Sequence, residues 1–226
     1  MDWTAIGLSL RLAGATSFLL LLLGLPLAYW LSFSTFRVRF LVEALTALPL
    51  VLPPTVLGFY LLLAMGPEGR LGQGWQQLTG EGLPFSFAGL LLASVLYSLP
   101  FAVQPFAAAF AAVDRRLIEA SWCLGRSRLD TFVRIVLPLA APGVLAGVVL
   151  SFAHTLGEFG VVLMVGGNLP GRTRTVSISI YDAVQAMDYS AAHQTSAFLL
   201  VVSFATLALV YGSRRQAFFV WPTHFR

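Results

Sequence analysis

The most constraining feature of this sequence is the placement of its charged residues, which leaves five long runs without any charge. A helix needs about 20 mostly apolar residues to cross a bilayer, and each run meets that length. In lipid the backbone must satisfy its hydrogen bonds internally, which favours helices. The pattern therefore predicts an all-α integral membrane protein, one domain over residues 1–226 with five transmembrane helices. The predicted spans are residues 12–34, 44–66, 86–113, 135–157 and 190–213.

The composition excludes several classes of protein. Hydrophobic residues make up 58% of the chain and charged residues only 11%, whereas a soluble domain carries about a quarter charged residues. All basic residues are arginines, and without lysine there is no phosphate-binding loop, so the chain is not itself an ATPase. The small net charge of +4 gives no reason to expect a nucleic-acid partner. One cysteine and three scattered histidines predict no metal site.

The orientation in the membrane follows from the arginines, because short cytoplasmic loops hold more basic residues than exported ones. Ten arginines follow the first, third and fifth spans, and four lie on the other side. This split predicts an external N-terminus, a cytoplasmic C-terminus and a cytoplasmic loop at residues 114–134.

Prolines interrupt several predicted spans, most densely at Pro49, Pro53 and Pro54, which Thr55 follows. Each proline removes a backbone donor, which is tolerated at membrane depth only against other helices or a wet cavity. Two interpretations stay open, simple kinking or a broken helix that lines a path through the protein. Residues 159–169 are apolar but too short to cross alone, so we expect either a bent continuation of the fourth span or a re-entrant segment.

The cytoplasmic loop carries the most informative pattern. Leu117, Ala120, Ser121 and Leu124 fall at helical spacing on one face, and Gly125 is placed to end that helix. Charge pairs four residues apart, around Asp130, indicate a second helix that leads into the fourth span. From these residues alone, an arginine-rich anchor at the lipid surface is an equally good interpretation.

The spacing of the loop resembles the "EAA" loop of ABC importer permeases. Glu119-Ala120-Ser121 is followed by Gly125 three residues later and by an Ile-x-Leu-Pro segment ending at Pro138 after nine more, with Ser121 replacing the second alanine. The resemblance implies a coupling helix that docks on a separate ATPase subunit, which holds the ATP and magnesium. It also implies that Gly125 turns the chain and that Pro138 starts the next membrane helix. The residues that would serve coupling are Arg116, Glu119, Ala120, Ser121, Leu124 and Gly125.

The resemblance extends over nearly the whole chain and is strongest to the permease subunits of molybdate importers, whose relatives handle tungstate and sulfate. It rests on residues 48–55, 156–160 and 167–175. It implies a type I importer in a bacterial or archaeal inner membrane, built from two copies of this chain, an ATPase dimer and an extracytoplasmic binding protein. The pore or gate residues would be Pro49, Pro53, Pro54, Thr55, Gly157, Glu158 and Gly160.

Glu158 is an acidic residue inside an apolar stretch, which makes it a functional hypothesis by default. A carboxylate repels an oxyanion, so we expect a structural role, with Glu158 accepting hydrogen bonds from backbone groups or an arginine. Asn168, Arg172 and Arg174 lie in an external loop and are expected to contact the binding protein or attract the anion, although simple solvation is as good an interpretation.

A rival class is an ion-coupled secondary transporter. It would need several intramembrane acids or inverted repeats, and the sequence offers Glu158 and no repeat.

Overall fold

The computed structural model describes residues 1–217, and every regular element among them is helical. A π-helical segment, Phe132–Val136, joins two of the helices, so the chain is helical without interruption over Arg128–Gly157. In chain order the helices are α1 Trp3–Phe33, α2 Arg39–Val51, α3 Pro54–Met65, α4 Arg70–Thr79, α5 Phe87–Ala111, α6 Arg115–Cys123, α7 Arg128–Thr131, α8 Leu137–Gly157, α9 Gly160–Gly166, α10 Val176–Gln185 and α11 Tyr189–Ala217.

Within residues 1–217, four helical segments are long and apolar enough to cross a membrane, and one bent pair of helices can supply a fifth crossing. The four are α1, α5, the run Arg128–Gly157 and the part Tyr189–Ala208 of α11; the pair is α2 with α3. This architecture confirms the prediction of an all-α membrane protein with about five spans.

The second predicted span, residues 44–66, is not one helix. The chain changes direction by 113° between α2 and α3, across the break at Leu52 and Pro53. Both break residues are extended, with ψ of 135°, because proline disfavours the helical conformation of the residue before it. Pro54 then occupies the first position of α3, where its missing N–H is not needed. The paired prolines therefore stop one helix and start another.

The first span begins earlier than predicted. α1 starts at Trp3, and the Asp2 carboxylate caps it by accepting a hydrogen bond from the backbone N–H of Ala5 at 3.0 Å. Arg11 lies within this helix with its side chain exposed. A charge ends an apolar run in the sequence but does not end a helix, because a long arginine side chain can reach water from a helix near the membrane surface.

Pro138 is the second residue of α8 but, contrary to expectation, it does not begin the membrane-spanning helical run. The helix is already formed from Arg128, and Pro138 is the second residue after the π-helical segment. A proline ring inside a regular α-helix collides with the carbonyl of the residue four positions earlier. The wider π turn just before Pro138 gives that ring room and lets the helix continue.

The centre of the molecule is a bundle of α1, α5 and α8. Its buried core includes Leu20 of α1, Phe106 and Phe110 of α5, and Val136, the last residue of the π-helical segment before α8. Close approach depends on Gly147, where a Cβ atom would lie 2.6 Å from the Phe106 ring. Small residues thus let large aromatic side chains fill the space between the helices.

α9 is a bent continuation of the fourth span rather than a re-entrant segment. The last turn of α8 contacts Ser98, about three turns into α5, and α9 then runs on towards the start of α5. There the backbone N–H of Phe85 donates to the carbonyl of Val165 at 2.9 Å, and Gly166 contacts Leu90. With seven residues, α9 spans only about 10 Å and cannot cross a membrane alone.

Candidate coupling helix and translocation path

The end of α6 has the geometry that the sequence predicts. The Asp114 carboxylate caps its start by accepting a hydrogen bond from the Arg116 backbone N–H at 2.9 Å. At the other end, Gly125 adopts φ +75°, its N–H donates to the Trp122 carbonyl, and the N–H of Arg126 donates to the Ser121 carbonyl. These two bonds form a Schellman motif, which favours glycine at the left-handed position.

The surface of α6 divides into a buried and an exposed side. Ile118 and Ser121 face inward, and the Ser121 hydroxyl hydrogen-bonds to the Thr131 hydroxyl at 2.9 Å. The opposite side, which we call the outer face of α6, carries a polar and apolar mixture with Leu117 at 47% and Leu124 at 82% exposure. The outer face consists of Arg116, Leu117, Glu119, Ala120 and Leu124.

Ser121 therefore does not occupy the docking side that its place in the motif implied. Ala120 is exposed but Ser121, one residue later, is only 4% exposed. Successive residues on a helix point about 100° apart, so neighbours in a motif need not share a face. A hydroxyl at this position has a local reason in the structure, since it ties α6 to α7.

Ion pairs follow the turn after α6. Asp130 accepts from Arg126 at 3.0 Å and from Arg134 on its other side, as the i, i+4 spacing predicts. The Ser127 hydroxyl caps α7 by accepting from the Asp130 backbone N–H. Exposed pairs of this kind contribute little to the free energy of unfolding.

The two broken spans contact each other through the helices that follow their breaks, α3 and α9. α3 and α9 run parallel, and both begin directly after a break. A Cβ atom on Gly160 would lie 2.7 Å from Pro54 Cβ, and one on Gly58 would lie 2.7 Å from Met164 Cβ. Two of the predicted pore residues, Pro54 and Gly160, are thus in close contact. Pro53, Thr55 and Gly157 are exposed beside them, and Pro49 lies half-buried within α2.

The bend between α2 and α3 presents a broad apolar surface. Large hydrophobic side chains there are between 44% and 82% exposed. Exposed apolar side chains of this kind mark a surface that meets lipid or another protein. The residues that form it, which we call the elbow surface, are Leu45, Leu48, Leu50, Val51, Phe59 and Tyr60.

Glu158 is buried at the break between α8 and α9, with 4% exposure. Its two carboxyl oxygens and the hydroxyl of Ser94 beside them make no hydrogen bond of good geometry within the described residues. The expected bonds from backbone groups or an arginine are therefore not made within residues 1–217. The sequence revealed the isolated acid, but its surroundings come from α5, which is distant along the chain.

His154 lies one turn before Glu158 and is packed between α5 and α8. Its Nδ1 is 2.9 Å from the Ser98 hydroxyl, which also contacts the Thr155 hydroxyl at 2.9 Å. The imidazole stacks on Phe101 with ring centroids 3.8 Å apart. This polar cluster joins α5 to α8 just below the break. Among the residues that the structure describes, no His, Cys, Asp and Glu side chains form a metal-binding group.

Asn168 and Arg174, two of the three residues expected to contact a binding protein, are engaged within this chain. Arg174 donates to the Asn168 side-chain carbonyl at 2.6 Å and lies 3.4 Å from Asp182, to which the Asn168 amide also donates at 2.6 Å. The network fastens the loop at residues 167–175 to α10. Sequence reasoning missed Asp182 because it lies on the following helix. Arg172 is exposed, with no ion pair within the described part of the chain.

Comparison with known proteins agrees with this architecture. Residues 21–217 match the family described as "Binding-protein-dependent transport system inner membrane component". The chain is 52% identical over 214 residues to the Molybdenum transport system permease protein ModB of Azotobacter vinelandii, covering 95% of each chain. It is 38% identical to the ModB of Escherichia coli K12, covering 81% of this chain and 80% of that one. A probable sulfate transport system permease protein, cysT of Prototheca wickerhamii, is 29% identical, covering 95% and 83%.

Solved structures share the fold at low sequence identity. A bacterial ABC transporter involved in the import of the acidic polysaccharide alginate has a TM-score of 0.72 at 18% identity, covering 94% of this chain and 78% of that chain. The MetNI methionine ABC transporter has a TM-score of 0.74 at 14% identity, covering 96% and 95%. These likenesses confirm the fold of type I ABC importer permeases. Together with the family match, they show that the chain belongs to the binding-protein-dependent transport system inner membrane components, as a multi-pass transport subunit and not an enzyme.

Proposed function

We propose that this chain is the permease subunit of an ATP-driven importer of molybdate. The observation that supports molybdate as the substrate is the 52% identity to a molybdenum permease over 95% of both chains. Two copies would form the channel, with a separate ATPase dimer below and an extracytoplasmic binding protein above. Movement of the ATPase subunits would switch the path between inward-open and outward-open states.

The geometry of α6 supports docking on an ATPase subunit. Its outer face is exposed, with the small side chain of Ala120 beside the charged Glu119 and Arg116. A complementary groove could therefore hold it through both apolar and charged contacts. The Schellman turn at Gly125 fixes the direction in which the chain leaves that face. In this proposal residues 114–134 are cytoplasmic, the N-terminus is external and the C-terminus is cytoplasmic.

The elbow surface supports a second copy of the chain as partner. It is large and apolar, and it lies beside the exposed Thr55 and Gly157. Pairing of two elbow surfaces about a twofold axis would bury these side chains and leave a path between the copies. The prolines at the break and the α3–α9 contact would then line that path. The exposed Arg172 would face the binding protein or the arriving anion.

The test is uptake by reconstituted components. The chain is copurified with its ATPase subunit, placed in liposomes with the binding protein outside, and supplied with ATP inside and with molybdate, tungstate or sulfate in parallel. We expect ATP-dependent uptake with molybdate preferred. Preferred uptake of sulfate would contradict molybdate as the substrate and support sulfate, which the name of the Prototheca wickerhamii relative indicates. Uptake that needs an ion gradient but no ATP would support a secondary transporter and refute the proposal.

A further inference from the structure

A groove of about 530 Å³ lies between the second half of α1 and the segment that contains α6 and α7. Its volume is in the usual range for sites that hold small molecules, about 300–1,000 Å³. The floor is aromatic, with Tyr29 and Phe33 from α1, Trp122 from α6 and Phe132 from the π-helical segment. The Tyr29 ring contacts those of Phe33 and Phe132 at centroid distances of 4.8 and 5.0 Å, so the floor is a continuous apolar surface.

Two arginines stand at the rim of this groove. Arg115 is 3.8 Å from Glu119, a weak contact between side chains that are 80% and 60% exposed. The Arg128 guanidinium lies over the Trp122 ring at 6.0 Å, and no carboxylate lies within 4 Å of it in residues 1–217. Among the described residues, no acidic side chain lines the groove. An apolar floor with a cationic rim complements an anionic amphiphile.

The groove faces away from the outer face of α6. Its lining residues on α6 are Arg115, Ile118 and Trp122, whereas the exposed apolar residues of the outer face are Leu117, Ala120 and Leu124. At about 100° per residue, the centres of the two stripes are roughly 160° apart around the helix. A protein that grips the outer face therefore does not fill the groove, which opens instead beside α1.

The groove also lies where a lipid headgroup would be. α7 begins at Arg128 and continues without a break into the membrane-spanning helix. Tryptophan, tyrosine and arginine are enriched at this depth because their apolar parts face the acyl chains and their polar ends face water. In the proposed orientation this end is cytoplasmic, and anionic lipids there attract nearby arginines.

We infer that the groove between α1 and α6 binds one anionic phospholipid, with its phosphate between Arg115 and Arg128 and an acyl chain along Tyr29, Phe33 and Trp122. The inference rests on the proposed function only in one respect, the placement of the groove at the cytoplasmic surface of the membrane. A lipid bound here bridges α1 and the coupling helix, and so braces α6 from the side opposite its ATPase partner.

The test uses quenching of Trp122 fluorescence by phospholipids with brominated chains. The transporter, purified with the subunits that remain bound to it, is placed in phosphatidylcholine nanodiscs containing brominated phosphatidylglycerol or brominated phosphatidylcholine. The Trp122 contribution is the part of the quenching that disappears in Trp122→Phe. We expect half-quenching at a roughly 30-fold lower fraction of the anionic lipid, about fivefold for each of two arginines.

The double variant Arg115→Gln/Arg128→Gln is expected to remove this preference. The matched control, Arg37→Gln/Arg126→Gln, removes the same charge from exposed arginines outside the groove and should keep it. Equal quenching by both lipids in the unaltered protein, or a preference that survives the groove variant, overturns the inference. Quenching that appears only after the ATPase subunit is stripped away also overturns it, because a protein then covers the groove. Neither ATP nor molybdate is present, so failure of uptake leaves this result unaffected.

Discussion

The turn after α6 allows a sharp test of coupling through the substitution Gly125→Ala. Gly125 has φ +75°, and a Cβ atom added there meets nothing within 4 Å. The substitution therefore causes no clash with distant residues and acts only through the local backbone, where an L residue in the left-handed region costs about 1–2 kcal/mol. That free energy reduces the population of the observed turn relative to alternatives by roughly 5- to 30-fold.

A second helix end with the same backbone geometry provides the control. Gly80 ends α4 with φ +75° and open space around its Cβ position, so Gly80→Ala carries the same conformational cost far from α6. We expect both variants to lose similar thermal stability in detergent. Only Gly125→Ala should lower the number of molybdate ions transported per ATP hydrolysed. Gly125→Asn should be milder, because asparagine tolerates the left-handed region.

The measurement compares uptake and ATP hydrolysis in the same proteoliposomes. If Gly125→Ala transports as many ions per ATP as the unaltered protein, the turn does not direct coupling. If Gly80→Ala lowers the ratio equally, the defect comes from general destabilisation and the reasoning about α6 fails.

Three further predictions concern the break and the outer loop. Gly160→Ala should destabilise the protein by about 1–3 kcal/mol, because its Cβ collides with α3, whereas Gly157→Ala meets nothing within 4 Å and should change stability little; thermal unfolding in detergent checks both. Glu158→Gln should unfold at the same or a higher temperature, because it replaces a buried ionisable carboxyl group, which makes no good hydrogen bond in the described chain, by a neutral amide of the same shape; a clear loss would show a partner outside it. Arg174→Gln should lower the unfolding temperature by breaking the loop network, whereas Arg172→Gln should leave it unchanged and raise the concentration of binding protein that half-saturates uptake; the reverse pattern would contradict the assignment.

The fold was predictable from the sequence where local chemistry decides it. Uncharged runs indicated the spans, Gly125 indicated the turn, and the spacing around Asp130 indicated the ion pairs. All of these depend on residues at most a few positions apart. The bend at Pro53 was predicted only as an interruption, because a proline pair stops a helix without fixing the angle of the next one.

The rest depended on contacts between distant parts of the chain. Ser121 belongs to the recognised motif, yet its hydroxyl faces Thr131, because the phase of a short helix is set by what it packs against. Arg174 was expected to be available to a partner, but Asp182 engages it from the next helix. Pro138 was expected to begin a helix because the sequence does not reveal the π turn that accommodates it.

The same long-range contacts connect α6, the proposed coupling helix, to the break. Ser121 ties α6 to Thr131, which lies in the unbroken helical run Arg128–Gly157. Thirty helical residues extend about 45 Å and behave as one element. That element ends at the break beside Glu158, where α9 packs directly on α3 through Gly160 and Pro54. We therefore expect a displacement of α6 that moves this run to reach α9 at the break. There α9 and α3 touch without room for one more methyl group, at Gly160 and Pro54, beside the proposed path.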